Sequence, residues 1–584
     1  MVEPTKKLIN NPDNLIEELI AGMVSAHPDH LCVEGRTGRA IVAVNGPRDG
    51  KVGIVVGGGS GHEPAFAGYV GKGLADASPL GNIFASPSPS QIIDAGLAAS
   101  GGAGVLFLYG NYTGDVMNFG MAGEALAQQG IEARSFVVTD DIASAPRERS
   151  DERRGIAGDF FVFKIAGAAA DMGLSLDEVE TAARRANDAT RTMGVALSAC
   201  SMPQTGKPNF HIPAGEMEIG MGIHGEPGIA RVPAETADEV ADRLLSPILD
   251  ELDLSAEDSV AVLVNGLGST TLLELYLLHR RVAEALGARH VRIHHSWVGN
   301  YCTSLEMGGA SVTLMKLDDD LRRWLDHPCD TPALRVGATG GAVRAGPRRA
   351  RMQTGPGAVA AARTLDLKAD GALTPAVFRD MLQASAEAIF AARDRLSELD
   401  GAIGDGDHGI TMEIGWKAVL EALAEADADA TITELSRTVA NAFLEAVGAT
   451  AGPLYASGFS AAGTAVADRL NLDAAATVAW LTGLADGIAT RGGARPGEKT
   501  MLDAWVPAVD AARDALGKGG SIAECLAAAA QGATAGAEAT RDMQSMRGRS
   551  KKLGERSIGH VDAGAASCVV ILSAWRDAAG GLAG

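Results

Sequence analysis

Residues 53–64 read GIVVGGGSGHEP: three apolar, branched side chains run directly into a glycine-rich stretch that closes on His62, Glu63 and Pro64. The branched run predicts a buried strand, and the glycines predict a loop at its carboxyl end, where open α/β sheets bind ligands. His62 stands where a dinucleotide fingerprint needs its last glycine, and no GK[ST] follows, so neither a Rossmann nor a Walker loop is indicated. A tight turn serving backbone geometry alone is the plainer alternative.

The same grammar extends outward. GVLFLY (104–109) ends in GNYTGD, which places Asp115 after its own strand, and VAVLVN (260–265) and VRIHH (291–295) read as further strands. Between them, Val240, Leu244, Leu245, Ile248, Leu249 and Leu252 recur at helical spacing and predict a helix with one buried face. This alternation is α/β. A third loop, GMGIHGEPG (220–228), sets His224 among glycines, with little steric cover expected. Singly these residues suit turns, and together they suggest two imidazoles and a carboxylate around one small pocket.

Residues 334–358 hold Gly, Pro and Arg without an apolar period and read as a linker, which divides the chain into 1–333 and 359–584. From 374 the sequence is alanine-rich, with long helical patterns such as FRDMLQASAEAIFAARDRLSEL. This half is expected to be all-helical. LDGAIGDGDHG crowds Asp400, Asp405 and Asp407 into a glycine-rich segment read as a loop between helices. Carboxylates ~5 Å apart repel by on the order of a few kcal/mol at an effective dielectric of 20, so a cation is expected. Trp416, and no glutamate, falls where an EF-hand needs its twelfth ligand, and magnesium suits the cluster better. An exposed acidic turn is the alternative. Three more glycine-rich segments, 447–459, 491–504 and 547–565, read as breaks in helical sequence, and none is a P-loop.

At 584 residues the chain predicts about three or four folding units. Apolar residues at 46% and charged residues at 21% are globular proportions, and a net charge of -22 argues against nucleic-acid or anionic-membrane partners. No signal peptide or membrane-spanning run is evident, and the six cysteines form no CxxC pair, so a cytoplasmic protein with reduced thiols is expected.

GGGSGHEP, NYTGD and GIHGEPG, in this order and followed by the aspartate cluster, resemble the dihydroxyacetone kinases in their single-chain, ATP-dependent form. The resemblance covers nearly the whole chain. It implies a two-lobed α/β substrate domain followed by an eight-helix barrel carrying ATP at its rim, in a homodimer. By it, His224 would hold the ketone of a short ketose as a hemiaminal, Asp115 would take the proton of the hydroxyl being phosphorylated, and His62 would polarise the substrate. Gly59, Ser60, Gly61 and Ser86 would line that pocket. Asp400, Asp405 and Asp407 would hold two magnesium ions. Ala449, Thr450 and Ala451 would meet phosphates, and His408, Thr411, Gly492, Met501, Asp562, Ala563 and Gly564 would surround the nucleotide. Arg549 or Arg556 would supply positive charge, with the choice between them open. The chain departs from the family where a lysine usually precedes NYTGD, since Gly110 stands there. The loss is expected to open space and favour a four-carbon ketose such as erythrulose over dihydroxyacetone. Ala563 replaces a frequent proline. The alternatives are cyclisation of a dinucleotide such as FAD at the magnesium site, a non-catalytic ketose sensor, and a phosphohistidine relay, which lacks a fused carrier domain here.

Overall fold

The computed structural model describes residues 6–337, 372–404, 406–467 and 469–579. The chain divides into two compact units, Met1–Met352 and Gln353–Gly584. The first unit accounts for more than one of the units that chain length suggested, because it contains two sheets.

The first sheet comprises β1 (Leu31–Glu34), β2 (Ala40–Ala43), β3 (Gly53–Val56), β4 (Gly58–Ser60), β5 (Ala77–Ile83), β6 (Val105–Gly110) and β7 (Ala133–Val138). Their order is β1-β2-β5-β3-β6-β7, with β4 added on β5. β5, β3, β6 and β7 run parallel, and β3 and β6 are buried at every position, as a sheet covered on both faces requires. Helices α1 (Leu15–Ala26), α2 (Pro89–Ala99), α3 (Thr113–Gln128), α4 (Asp159–Asp171) and α5 (Leu176–Asp188) supply the cover. Val55, Val105 and Phe107 share a cluster with Ile92 of α2 and Phe119 and Leu126 of α3. Their alternates Ile54, Val56, Leu106 and Leu108 join Phe160, Phe161 and Phe163 of α4.

The second sheet comprises β8 (Thr190–Ser198), β9 (Glu216–Ile219), β10 (Ala230–Pro233), β11 (Ser259–Gly266), β12 (Arg292–Gly299) and β13 (Gly308–Leu317), ordered β10-β9-β8-β13-β11-β12. Helix α6 (Ala237–Leu252) opens with a capping box between Thr236 and Glu239, and all six apolar residues expected on its inner face are buried. Together with α7 (Leu272–Ala288) it covers Val260, Val262, Val264, Val312 and Leu314. Ala261, Leu263, Met315 and Leu317 turn the other way and join the α4 cluster, so the two lobes share one core. Helix α8 (Asp319–Leu325) leads to a small antiparallel pair, Cys329–Asp330 with Arg335–Val336. The stretch read as a linker from residue 334 therefore begins with residues of the first unit, and 338–358 lie outside the described residues.

Among the described residues the second unit holds eight α-helices: α9 (Pro375–Gly401), α10 (His408–Glu425), α11 (Ile432–Ala446), α12 (Ala451–Ala465), α13 (Ala474–Gly492), α14 (Leu502–Gly517), α15 (Ile522–Ala539) and α16 (Ala563–Ala579). Each packs on the next, and α16 packs on α9. Trp416, Trp480, Trp505 and Trp575 are fully buried inside. Trp575 lies 5.3 Å from Trp480 and 5.9 Å from Trp505, ring centre to ring centre, and donates to Ser385 Oγ at 2.7 Å.

The glycine-rich segments are shorter breaks than expected. Gly401 is the last residue of α9, and Gly409 and Gly452 lie inside the first turns of α10 and α12. A Cβ at Gly409 would lie 2.0 Å from the Arg393 carbonyl oxygen, and one at Gly452 would lie 1.9 Å from that of Val447. These glycines permit close backbone approach and do not interrupt the helix. No helix of the described residues is long and apolar enough to cross a membrane.

Candidate active site

In the first unit His62 follows β4 and is fixed by a loop from the other lobe. Its Nδ1 lies 2.8 Å from the Thr303 carbonyl, its own carbonyl accepts the Thr303 N–H at 3.1 Å, and Gly61 O accepts the Leu305 N–H at 2.7 Å. Ser60 Oγ donates to Gly81 O at 2.7 Å. Gly59 is required by crowding, because a Cβ there would lie 2.6 Å from the Ala85 nitrogen.

His62 Nε2 meets His224 Nε2 at 3.1 Å. His224 is not the sparsely covered loop residue expected: it is buried, with Phe84 and Tyr112 edge-on at 5.4 and 4.7 Å between ring centres. Its Nδ1 lies 2.9 Å from Glu226 Oε1, and its backbone N–H donates to Glu226 Oε2 at 3.0 Å. Glu226 is buried too, with Arg154 3.9 Å away. Arg154 is paired in turn with Asp141 at 2.7 Å. Gly222 makes room for the carboxylate, since its Cβ would lie 2.1 Å from Glu226 Oε2.

These contacts assign the protons. A carbonyl can only accept, so His62 carries hydrogen on Nδ1, and Glu226 likewise draws the hydrogen of His224 to Nδ1. Two neutral rings would then oppose Nε2 lone pairs at 3.1 Å. The pair is satisfied by one additional proton between them, balanced by the Glu226 carboxylate.

Asp115 is buried in the first turn of α3, three residues after Tyr112. Ser86 is buried in the loop after β5, which also carries Phe84; the Phe84 ring stacks on His62 at 5.0 Å. Phe84, Tyr112, Glu226 and Thr303 were not singled out from sequence. Glu226 and Tyr112 lie inside the quoted motifs, while Phe84 and Thr303 carry no local signal. Gly110 also departs from expectation. A Cβ there would meet Tyr112 Cε2 at 2.9 Å and the Gly155 oxygen at 3.0 Å, so the missing side chain leaves no open space beside the backbone. The Tyr112 ring occupies it, with its hydroxyl donating to that same oxygen at 3.0 Å.

In the second unit Asp400, near the end of α9, accepts the N–H groups of Asp407 at 3.0 Å and His408 at 3.3 Å on one oxygen. Its other oxygen faces Gly404, where a Cβ would lie 2.3 Å away. Only a glycine fits there, because the carboxylate packs against the backbone. Asp405 lies outside the described residues, and among the described residues no three acidic, His or Cys side chains converge as a metal site. His408 opens α10, and its Nε2 lies 3.0 Å from Ser567 Oγ on α16. Burial holds the His408 imidazole below its ordinary value, against the pull of Asp400. Thr411 is buried one turn further along.

Ala451 begins α12, with Thr450 as its cap and the Ala449 carbonyl accepting the Gly452 N–H at 2.9 Å. Gly492 abuts α12 at Leu454, and Gly564 abuts Met501. Asp562 Oδ2 accepts the Ala565 N–H at 2.8 Å, and Ala563 begins α16. Burial, opposed by that hydrogen bond and reinforced by Asp400 and Asp503, pushes the Asp562 carboxyl up to about 7. Tyr455 of α12 reaches Cys568 Sγ of α16 at 3.7 Å, and Cys568 Sγ lies 3.7 Å from the Met501 carbonyl, so the starts of α10, α12, α14 and α16 are tied together at one end, where four helix N-termini favour anions. Arg556 is exposed in a 3-10 segment, Arg549–Ser557, and the side chain of Arg549 lies outside the described residues.

Residues 21–333 match the Dak1 domain family, and residues 402–577 match the DAK2 domain family. The chain belongs to the dihydroxyacetone kinase family. Within it, the chain is 39% identical over 573 residues to the L-erythrulose 1-kinase of Mycolicibacterium smegmatis, spanning 97% of this chain and 98% of that one. It is 40% identical to the D-erythrulose kinase of the same organism, spanning 96% of each. The crystal structure of the dihydroxyacetone kinase from C. freundii in complex with AMP-PNP and Mg2+ is similar at a TM-score of 0.52 and 28% identity, covering 98% of this chain and 99% of that one.

Proposed function

We propose that this kinase transfers the γ-phosphoryl group of ATP to a terminal hydroxyl of erythrulose, with dihydroxyacetone as a poorer acceptor. The observation that carries the ketose reading is the buried His62–His224–Glu226 chain, and the four-carbon preference is supported by the likeness to the erythrulose kinases. With Nδ1 directed to a carboxylate, His224 presents an Nε2 lone pair, which forms the C–N bond to the ketone carbon as the carbonyl π bond breaks. The proton held between the imidazoles passes through His62 to the ketone oxygen, and Glu226 stabilises the charge left on His224. Polyols without a ketone cannot be held this way, which excludes glycerol. Asp115 is the acceptor for the terminal hydroxyl proton.

The nucleotide belongs to the helical unit, read as a closed eight-helix barrel, with the phosphates at the joined helix starts and Arg556 or Arg549 beside them. Asp400, Asp405 and Asp407 would hold magnesium, since a few carboxylate oxygens together with nucleotide phosphates suit that ion. Two bound ions would neutralise the phosphates. The division into a ketose half, 1–333, and a nucleotide half, 359–584, follows. Six free cysteines support a reducing, cytoplasmic setting. A homodimer completes the reading: Leu272, Leu273, Tyr276 and Leu277 lie 44–70% exposed on the first turns of α7, and a second copy would cover them.

Steady-state kcat/KM with ATP and magnesium, compared across dihydroxyacetone, D-erythrulose, L-erythrulose and glycerol, tests the proposal. An erythrulose is expected to lead and glycerol to be inert. No turnover of any ketose would overturn it. His224→Ala separates the cyclase alternative, since ketose turnover should vanish while dinucleotide cyclisation would survive.

A further inference from the structure

Lys499 lies in the loop between α13 and α14, yet it is 1% exposed, and its backbone adopts a left-handed φ of +60°. Its ammonium donates to four backbone carbonyls: Thr540 at 2.9 Å, Met543 at 3.2 Å, Ser557 at 2.7 Å and His560 at 2.6 Å. Three N–H donors shared among four carbonyl oxygens at these distances resemble the coordination shell of a potassium-sized cation more than an ion pair. Every acceptor belongs to the segment joining α15 to α16, the stretch that carries Arg556, ends at Asp562 and leads into Ala563 and Gly564 of α16. Neighbouring contacts bind the same two stretches. Glu498 O accepts the Met546 N–H at 3.1 Å, the Glu498 carboxylate accepts Arg547 Nε at 2.8 Å, and Arg547 also donates to Gly493 O at 2.9 Å. The free end of the segment is pinned where the Asp562 N–H donates to Thr540 Oγ1 at 2.9 Å. The charged groups facing the ammonium are Asp562, Arg541 and Asp542, and the hydrogen bonds themselves are all to carbonyls.

We propose that Lys499 is a tethered cation that positions the Thr540–Asp562 segment, and through it the nucleotide end of the helical unit. It is a positioning residue: it acts through the segment and touches neither phosphate nor ketose. Its chemistry is that of a monovalent-cation site whose occupant is covalently attached, so removing the side chain should create a chain that needs the cation from solution. This inference rests on the proposed nucleotide site.

The test uses the full chain with Lys499→Ala and Lys499→Met, in choline buffer with and without ammonium or potassium. AMP-PNP affinity, tryptic cleavage between Arg541 and Arg556, and retention of ketose by mass are recorded. Loss of several charge-assisted hydrogen bonds should weaken AMP-PNP binding by roughly tenfold or more. Cleavage should rise while ketose retention stays unchanged. Ammonium should restore both nucleotide affinity and protection to Lys499→Ala, but not to Lys499→Met, whose side chain fills the space without charge. Unchanged affinity and cleavage in both variants would overturn the proposal, as would a loss in Lys499→Ala that no monovalent cation repairs. If Lys499→Ala does not fold in choline, the proposal requires folding in ammonium, and a chain that stays unfolded there counts against it. Should the unaltered chain bind no AMP-PNP, the nucleotide reading fails, and the cleavage and cation arms still report on Lys499.

Discussion

Two imidazole nitrogens 3.1 Å apart, each with its hydrogen drawn to the far side of its ring, make the proton count of the pair a property of Glu226. Replacing that carboxylate by an amide in Glu226→Gln keeps the size and removes the charge that favours the extra proton. Ketose kcat/KM is expected to fall by at least ~10²-fold, with AMP-PNP affinity unchanged, and the alkaline limb of the rate profile should move to lower pH. A rate profile superimposable on that of the unaltered enzyme would remove Glu226 from the mechanism. Gly110 makes a second residue-scale prediction. Gly110→Ala sets a methyl against Tyr112 and the Gly155 oxygen, an overpacking that costs about 1–3 kcal/mol in denaturant unfolding of the first unit. The histidines were legible in sequence because glycines mark both their loops. Their burial was not, because Phe84 and Tyr112 reach His224 from segments more than a hundred residues away.

Among the elements, α4 carries an unusual burden: Lys164 is wholly buried and donates to the carbonyls of Trp324 at 3.0 Å and His327 at 2.8 Å, where α8 ends. Burial lowers its ammonium from 10.5 to about 8, against the pull of Cys329, Asp171 and Asp326. Between those values the folded chain binds fewer protons than the unfolded one, so stability rises with pH across the window and is lost as pH falls through about 8. The difference is on the order of 3 kcal/mol. It should appear as a pH dependence of unfolding that Lys164→Met lacks; parallel profiles would contradict it. Strand β3 and helix α6 were legible because branched runs and helical spacing are local signals. The helix ends near Gly409 and Gly452 were not, because a glycine that admits a neighbouring backbone looks in sequence like one that ends a helix.

For the whole molecule, the α/β half and the helical half follow from the change of grammar near residue 374, whereas the split of the first half into two sheets sharing one core does not, since strand alternation names two faces without saying what covers each. Magnesium removal by a chelator should abolish turnover while leaving ketose retention on His224 intact, as mass measurement can check. Leu273→Glu with Leu277→Glu should shift the chain to a monomer by light scattering; an unchanged mass would place any interface elsewhere. Four of the six tryptophans sit inside the helical unit, and Trp480 and Trp505, from two different helices, both stand within 6 Å of Trp575 on a third, at 5.3 and 5.9 Å. Indoles so close exchange excitation energy, so near-ultraviolet light absorbed by any of these three loses its polarisation among them. The depolarised emission and the coupled near-ultraviolet dichroism of that trio are an optical signature of α13, α14 and α16 standing together, readable without a label.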